Sequence, residues 1–355
     1  MVVKKYGLVP TSRRTDLSLL EAEFERRGWQ RTYKPDWDLL WYVAKDPPPA
    51  VLYDLKEHQR ICHFPGISDY IGKHALDKTL DQPADSNAPR YYPRTWRLAD
   101  ELESFKSYAA QHPDMAWIIK PVLGACGQGI EVVLDPGQVK PKPRTIVQQY
   151  LHTPMLHDGC KFNLRLYLLI TAIKPGEAYI YNEGYVDLAS APFPQALRNL
   201  TDPAAYNTNT HIQTALTDKP ATECSVSLSR WAATFKYHHS DFGLLWARIK
   251  TMVGDVAGRI TSAMENDIGS HLQHRNNCFE LLGLDIEIDV HGNPWLIECN
   301  RTPEIAALSS KSIKQVLIRD TIDLVCGEGK TNLPGNGLSS GYERLDLMMQ
   351  PINPG

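Results

Sequence analysis

One stretch near the C-terminal end limits the fold more than any other. Residues 283–300 read Gly-Leu-Asp-Ile-Glu-Ile-Asp-Val, then His-Gly-Asn-Pro, then Trp-Leu-Ile-Glu-Cys-Asn. Alternation on both sides of a Gly-Asn-Pro turn predicts an antiparallel β-hairpin. Leu284, Ile286 and Ile288 share one face, and Asp285, Glu287 and Asp289 share the other. If the turn closes symmetrically, Val290 faces Trp295, which sets Asp285 opposite Asn300 and Glu287 opposite Glu298. Carboxylates held that close repel unless a cation or protons intervene. Hard oxygen donors of this kind suit Mg²⁺, which takes one or two carboxylates alongside substrate phosphates. A solvated acidic strand face has the same pattern, and the hairpin alone leaves both readings open.

Two further segments carry chemistry. Residues 117–130 read as strand, Gly-rich loop and strand, with Gly124, Gly127 and Gly129 in the loop and Lys120 closing the first strand. Glycines let backbone N–H groups approach phosphate oxygens, and a lysine adds a point charge for the same anion. The segment is neither a Walker A loop nor a clean GxGxxG, so a tight hairpin without ligand stays open. In 161–165, Lys161, Asn163 and Arg165 share a strand face while Phe162 and Leu164 take the other. Two cations on one face are costly without an anion, which makes a phosphate partner a reasonable expectation.

The rest of the chain frames these motifs. A length of 355 residues predicts two or three domains. Lys and Arg number 38 against 41 Asp and Glu, a net charge of −3, which argues against a general nucleic-acid binder. The most apolar run, 164–173, is about half a membrane span and contains Arg165, and the first residues have no apolar core for a secretory signal. The cysteines are seven, scattered and without a CxxC pair, which fits reduced thiols in a cytoplasmic protein. No zinc spacing and no GxSxG elbow occurs. Periodicity predicts helices over 69–80, 98–111, 242–264 and 312–325, strands over 163–172 and 178–181, an irregular stretch over 192–221 and a loose tail from 327. Trp29, Trp37 and Trp41 read either as the core of a small α/β domain or as a partner-docking face.

Taken in order, the motifs resemble the tubulin–tyrosine ligase-like branch of the ATP-grasp superfamily. The resemblance runs from about Asp38 to Val325. It rests on Asp38-Leu-Leu-Trp41, the Cys62-His-Phe-Pro-Gly66 segment, Tyr92-Pro-Arg-Thr-Trp96, the hairpin 117–130, Val147–Leu151 and Lys161-Phe-Asn-Leu-Arg165. Thr208-Asn209 and the terminal Phe279–Asp285 and Trp295–Pro303 pieces complete the series. Each piece alone is weak, and the ordered series is specific.

The resemblance implies an α/β (α+β) ATP-grasp fold in three parts, with ATP held between central and C-terminal domains. On this reading 1–66 is an N-terminal α/β domain that could dock the acceptor, and 67–152 is the central domain. Residues 153–326 form the C-terminal domain with the Mg²⁺ site, and 327–355 a flexible tail. The implied activity is an ATP- and Mg²⁺-dependent carboxylate–amine ligase, adding an amino acid to a protein or peptide carboxylate through an acylphosphate. A tubulin tail is its first-choice acceptor. The family resemblance leans towards a monomer, and the composition leads to the expectation of a cytoplasmic protein that engages neither nucleic acid nor membrane.

By carry-over, Asp285, Glu298 and Asn300 bind Mg²⁺, and Arg165 stabilises charge on the transferred phosphoryl group. ATP contacts fall to Lys120, Gly127, Gln128, Gly129, Ile130, Gln148, Tyr150, Leu151, Lys161, Asn163, Thr208 and Asn209. The chain departs from the family pattern at Asn163, in place of Asp, and at Asp187, in place of Arg. Those departures motivate two alternatives: a non-tubulin peptide ligase, or a nucleotide-binding pseudoenzyme or tubulin-binding module.

Overall fold

A computed structural model describes residues 3–11, 16–43, 47, 51–52, 54–80, 90–122, 129–218, 220–235, 242–265, 272, 274, 276–301, 303, 311–327 and 341–347. At the N-terminus β1 (Lys5–Val9) lies between β2 (Gln30–Arg31) and β3 (Leu39–Tyr42), and β4 (Arg60–Cys62) extends from β3, all parallel. Parallel neighbours need a crossover, which α1 (Ser18–Arg26) supplies between β1 and β2. Its buried Phe24 stacks on Tyr6 with ring centroids 4.2 Å apart. Trp29, Trp37 and Trp41 are all buried, so the tryptophans are core and form no docking face.

The expected helix over 69–80 is two, α2 (Ser68–Ile71) and α3 (Ala75–Leu80). Gly72 adopts an extended ψ of 151° and ends the first. Its carbonyl then accepts from the Ala75 and Leu76 N–H groups and starts the second. Lys73 is thereby lifted out of a helix face.

Next come β5 (Thr95–Arg97), α4 (Leu102–Ala110), β6 (Trp117–Pro121), β7 (Glu131–Val133) and β8 (Thr145–Gln149). The strands make a separate antiparallel sheet in the order β5-β8-β6-β7. Phe105 of α4 packs edge-on to Trp117 at 5.0 Å. The helix begins at Leu102 because Leu98, in the turn that follows β5, still donates its N–H to the Thr145 carbonyl.

Eight later strands join β1–β4 in one twelve-stranded mixed sheet. They are β9 (Leu156–His157), β10 (Cys160–Ala172), β11 (Glu177–Tyr181), β12 (Tyr185–Pro192), β13 (Ser225–Ser227), β14 (Cys278–Ile288), β15 (Pro294–Asn300) and β16 (Tyr342–Arg344). The main order is β13-β12-β10-β14-β4-β3-β1-β2. Central β10 pairs with β14 on one edge and with β12, then β11, on the other.

The stretch 192–221 is less irregular than its sequence suggests. It holds a 3₁₀ turn at Leu197–Asn199, α5 (Pro203–Tyr206) and α6 (Thr210–Thr217). Asp202 and Asn209 cap the two helices by accepting from Ala204 N–H and His211 N–H, a local signal without hydrophobic period. Then follow α7 (Ala221–Cys224), α8 (Leu228–Thr234), α9 (Phe242–Met264) and α10 (Lys311–Cys326). The tail is not loose throughout: β16 pairs with β11, and the Gly341 N–H donates to Asp320 at 2.8 Å.

The two faces of β10 explain where chemistry is placed. Leu164, Leu166, Leu168 and Ile170 bury against Ile249, Val253, Val256 and Ile260 of α9. On the opposite face Tyr167 and Leu169 are covered by residues of α1 and α10. Further along that face stand Lys161, Asn163 and Arg165. No helix among the described residues is long and apolar enough to cross a membrane, and six described cysteines are free thiols.

Candidate active site

Sheet register assembles the charged face. Arg165 is paired with Asp285 of β14 and Tyr185 of β12, and Asn163 with Asp187 of β12. Arg165 donates to both Asp285 oxygens, Nε to Oδ1 at 2.6 Å and Nη2 to Oδ2 at 3.1 Å. Lys161 Nζ stands 2.8 Å from Glu287 Oε1, donates to the Tyr150 hydroxyl at 3.2 Å and lies over the Tyr150 ring. Lys161 and Arg165 are thus each paired with a carboxylate of the chain itself. Burial opposes the Lys161 charge, but Glu287 and Tyr150 outweigh it and hold its pKa above the ordinary lysine value.

The β14–β15 register corrects the symmetric hairpin. Asp285 stands opposite Glu298, Gly283 opposite Asn300 and Glu287 opposite Trp295. Two local devices cause the shift. Asp289 folds inward as a turn residue, accepting from His291 N–H and Asn293 N–H at 2.9 and 2.8 Å and from the Trp295 indole at 3.2 Å. An irregularity between Asp285 and Ile286 then skips Ile297. Asp285, Glu298 and Asn300 still share one face, and Asn300 Nδ2 donates to Asp285 Oδ2 at 3.2 Å.

This donor set fits a hard cation: two opposed carboxylates and the amide oxygen of Asn300, with Arg165 as the positive group now on Asp285. Among the described residues no group of three or more His, Cys, Asp or Glu is gathered for a metal.

Two further lysines stand close to Glu298. Buried Lys120 donates to Gln148 Oε1 at 2.7 Å, and Gln148 donates to Thr95 Oγ1 at 2.9 Å. Burial pulls the Lys120 pKa down to about 8, against the opposing pull of Glu298 and Glu287. Lys73, from the α2–α3 break, brings its ammonium 3.6 Å from Glu298 Oε1 and 3.5 Å from the Pro121 carbonyl. Sequence reasoning missed Lys73 by running one helix through Gly72.

The other expected residues lie on several elements. Gly129 has φ +70° and lies against Pro121, where an added Cβ would come within 3.1 Å of Cγ. Ile130 packs partly buried against the cluster of Ile118, Tyr150 and Leu200, and Leu151 follows Tyr150 partly buried. Gly127 and Gln128 lie outside the described residues. Thr208 and Asn209 are at the start of α6, on the β12 side, where Thr210 Oγ1 donates to Asp187 at 3.3 Å. Burial raises the Asp187 pKa, while the Ser225 hydroxyl and Arg165 work against that rise.

A small antiparallel sheet beside a charged face of a larger mixed sheet, with lysines along it, is an ATP-grasp-like α/β arrangement. The chain matches the model of the tubulin-tyrosine ligase family over residues 53–333 and belongs to that family. It is 31% identical over 307 residues to tubulin polyglutamylase TTLL13 of Homo sapiens, covering 82% of this chain and 37% of that protein. It is 29% identical over 309 residues to human tubulin polyglutamylase TTLL6, covering 82% and 34%. Against human tubulin polyglutamylase TTLL5 the identity is 27% over 341 residues, covering 92% and 26%. The chain therefore spans about a third of the length of the curated relatives it matches.

Proposed function

We propose that this chain is an ATP- and Mg²⁺-dependent carboxylate–amine ligase that adds an amino acid to a protein or peptide carboxylate, a tubulin tail being the first acceptor to try. The observation that carries the reading is the opposed pair Asp285 and Glu298, with Lys73 and Lys120 beside Glu298 and Lys161 on the neighbouring Glu287. ATP with Mg²⁺ supplies, when bound, the phosphoryl group that activates the acceptor as an acylphosphate.

The chain's own residues position and neutralise. Lys120 and Lys161, with Lys73, hold phosphate oxygens, and Gly127, Gln128, Gly129 and Ile130 cover them. Gln148, Tyr150 and Leu151 line the adenine side, and Asn163, Thr208 and Asn209 make further ATP contacts. Asp285, Glu298 and Asn300 hold the cation. Arg165 turns from Asp285 to the charge that develops on the transferred group. Names of relatives that act on tubulin support the acceptor. Asp187 beside Arg165 favours a second reading, a peptide acceptor other than tubulin.

The test is Mg²⁺-dependent ATP turnover with pooled amino acids, with and without tubulin, followed by mass spectrometry of the acceptor. A mass increase equal to one or more amino-acid residues is expected, and Glu298→Gln abolishes it while leaving the circular dichroism unchanged. Full activity in Glu298→Gln overturns the cation assignment. ATP binding without any adduct turns the reading to a nucleotide-binding module.

A further inference from the structure

Thr95 lies on β5, an edge strand of the small sheet, and the steps above give it no part. Register places it directly opposite Gln148 of β8. Gln148 is in turn opposite Ile118 of β6, two residues before Lys120. Side chains two apart on a strand share a face, so Thr95, Gln148 and Lys120 stand on one side of this sheet.

The three are joined in a chain whose donor directions are all fixed. The Lys120 ammonium can only donate, so the Gln148 group 2.7 Å from it is the amide oxygen. The amide nitrogen is left as a donor, and Thr95 Oγ1 accepts from it at 2.9 Å. The Thr95 hydroxyl donates its own proton to the Pro93 carbonyl at 2.9 Å. Gln148 and Lys120 are both buried, and among the described residues no second hydrogen-bond partner holds the Lys120 ammonium. An amide turned end for end would set N–H groups against that ammonium, losing the bond and adding repulsion. Thr95 therefore decides which end of the amide Lys120 meets.

We propose that Thr95 is a positioning residue for the nucleotide: by orienting the Gln148 amide it holds the Lys120 ammonium where a phosphate meets it. The inference rests on the ligase reading above, in which Lys120 holds phosphate oxygens, and adds a residue that acts through two others. Valine has nearly the shape of threonine and suits a strand, so Thr95→Val removes the hydroxyl and little else. The freed amide then has no preferred end, and Lys120 loses its fixed acceptor.

The test is calorimetric titration of the full chain with Mg²⁺ and a non-hydrolysable ATP analogue, at a series of pH values and in two buffers of different ionisation enthalpy. Thr95→Val is expected to weaken the analogue about tenfold, the scale of one hydrogen bond to a charged group, and Thr95→Ser to restore most of it. Thr95→Ala reads the same loss should the valine chain not fold.

The pH profile separates positioning from loosening. Burial pulls the Lys120 pKa down to about 8, with Glu298 and Glu287 raising it and Lys73 and Lys161 lowering it further. Losing the oriented acceptor favours the neutral amine, so proton uptake on binding sets in at a lower pH in Thr95→Val than in the wild type. A sheet merely loosened admits water and moves that onset up, towards the ordinary lysine value. An onset that stays or moves up, undiminished affinity in Thr95→Val, or Thr95→Ser as weak as Thr95→Val each overturns the proposal. A wild-type chain that binds no analogue overturns the ligase reading and this one with it.

Discussion

Arg165 and Asp285 are opposite residues on adjacent strands, joined by hydrogen bonds of 2.6 and 3.1 Å. They are 120 positions apart in sequence. The pair brings together the group assigned to the transferred charge and a group assigned to the cation. Both Asp285 oxygens are engaged, so a metal ion and the guanidinium compete for them.

Removing the competitor therefore frees the carboxylate. Arg165→Gln is expected to bind Mg²⁺ about tenfold more tightly in the absence of nucleotide, because an unpaired buried carboxylate seeks a cation. Turnover should fall at least about 10²-fold with the lost electrostatic stabilisation. Calorimetric Mg²⁺ titration reads the first effect, and undiminished turnover with weaker Mg²⁺ binding would contradict both assignments.

Lys120 predicts proton uptake on nucleotide binding. With its pKa at about 8, the side chain is about half protonated at pH 8, and an arriving phosphate favours the ammonium. Titrations in two buffers of different ionisation enthalpy should show uptake of up to about half a proton at pH 8. The stability sign follows from the same shift. Between pH about 8 and the ordinary value of 10.5 the unfolded chain holds a proton the folded chain has shed, so this group makes stability rise with pH across that window. Lys120→Met should abolish both effects.

The Lys161–Glu287 pair is buried, and breaking one side leaves the other charge stranded. Lys161→Met is expected to lower stability by about 3–5 kcal/mol in denaturant melts. The double variant Lys161→Met, Glu287→Leu should recover most of that loss, because replacing a buried pair by apolar groups is often near neutral. No recovery would assign the loss to other contacts, such as Tyr150.

Gly184 guards the backbone of Arg165. A Cβ there would clash with the Arg165 carbonyl oxygen and lie 3.0 Å from Leu166 Cδ2. Gly184→Ala is expected to cost about 1–3 kcal/mol as overpacking, measured as a drop in melting temperature with reduced turnover.

Several features were legible because their signals are local. The alternation of 161–172 and 283–300 gives strands with one apolar face, and the long period in 242–264 gives α9 against that face. Gly72 defeats such reading, since one residue's ψ splits a helix whose apolar spacing looks continuous. The capped helices of 203–217 escape it too, because side-chain caps carry no period.

By itself the sequence determined which residue types alternate, and so which face of each strand is charged and which is core. It placed Asp285, Glu298 and Asn300 on one hairpin face, and Lys161 and Arg165 on one strand face. Only the tertiary structure decided who neutralises whom. Pairing of β10 with β14, a turn built on Asp289 and the irregularity that skips Ile297 set Arg165 on Asp285 and Glu298 opposite it. The physical reason is range. Strand patterning follows from steric and hydrophobic preferences within a few residues, whereas an ion pair's partner is fixed by sheet register between segments that are distant in the chain.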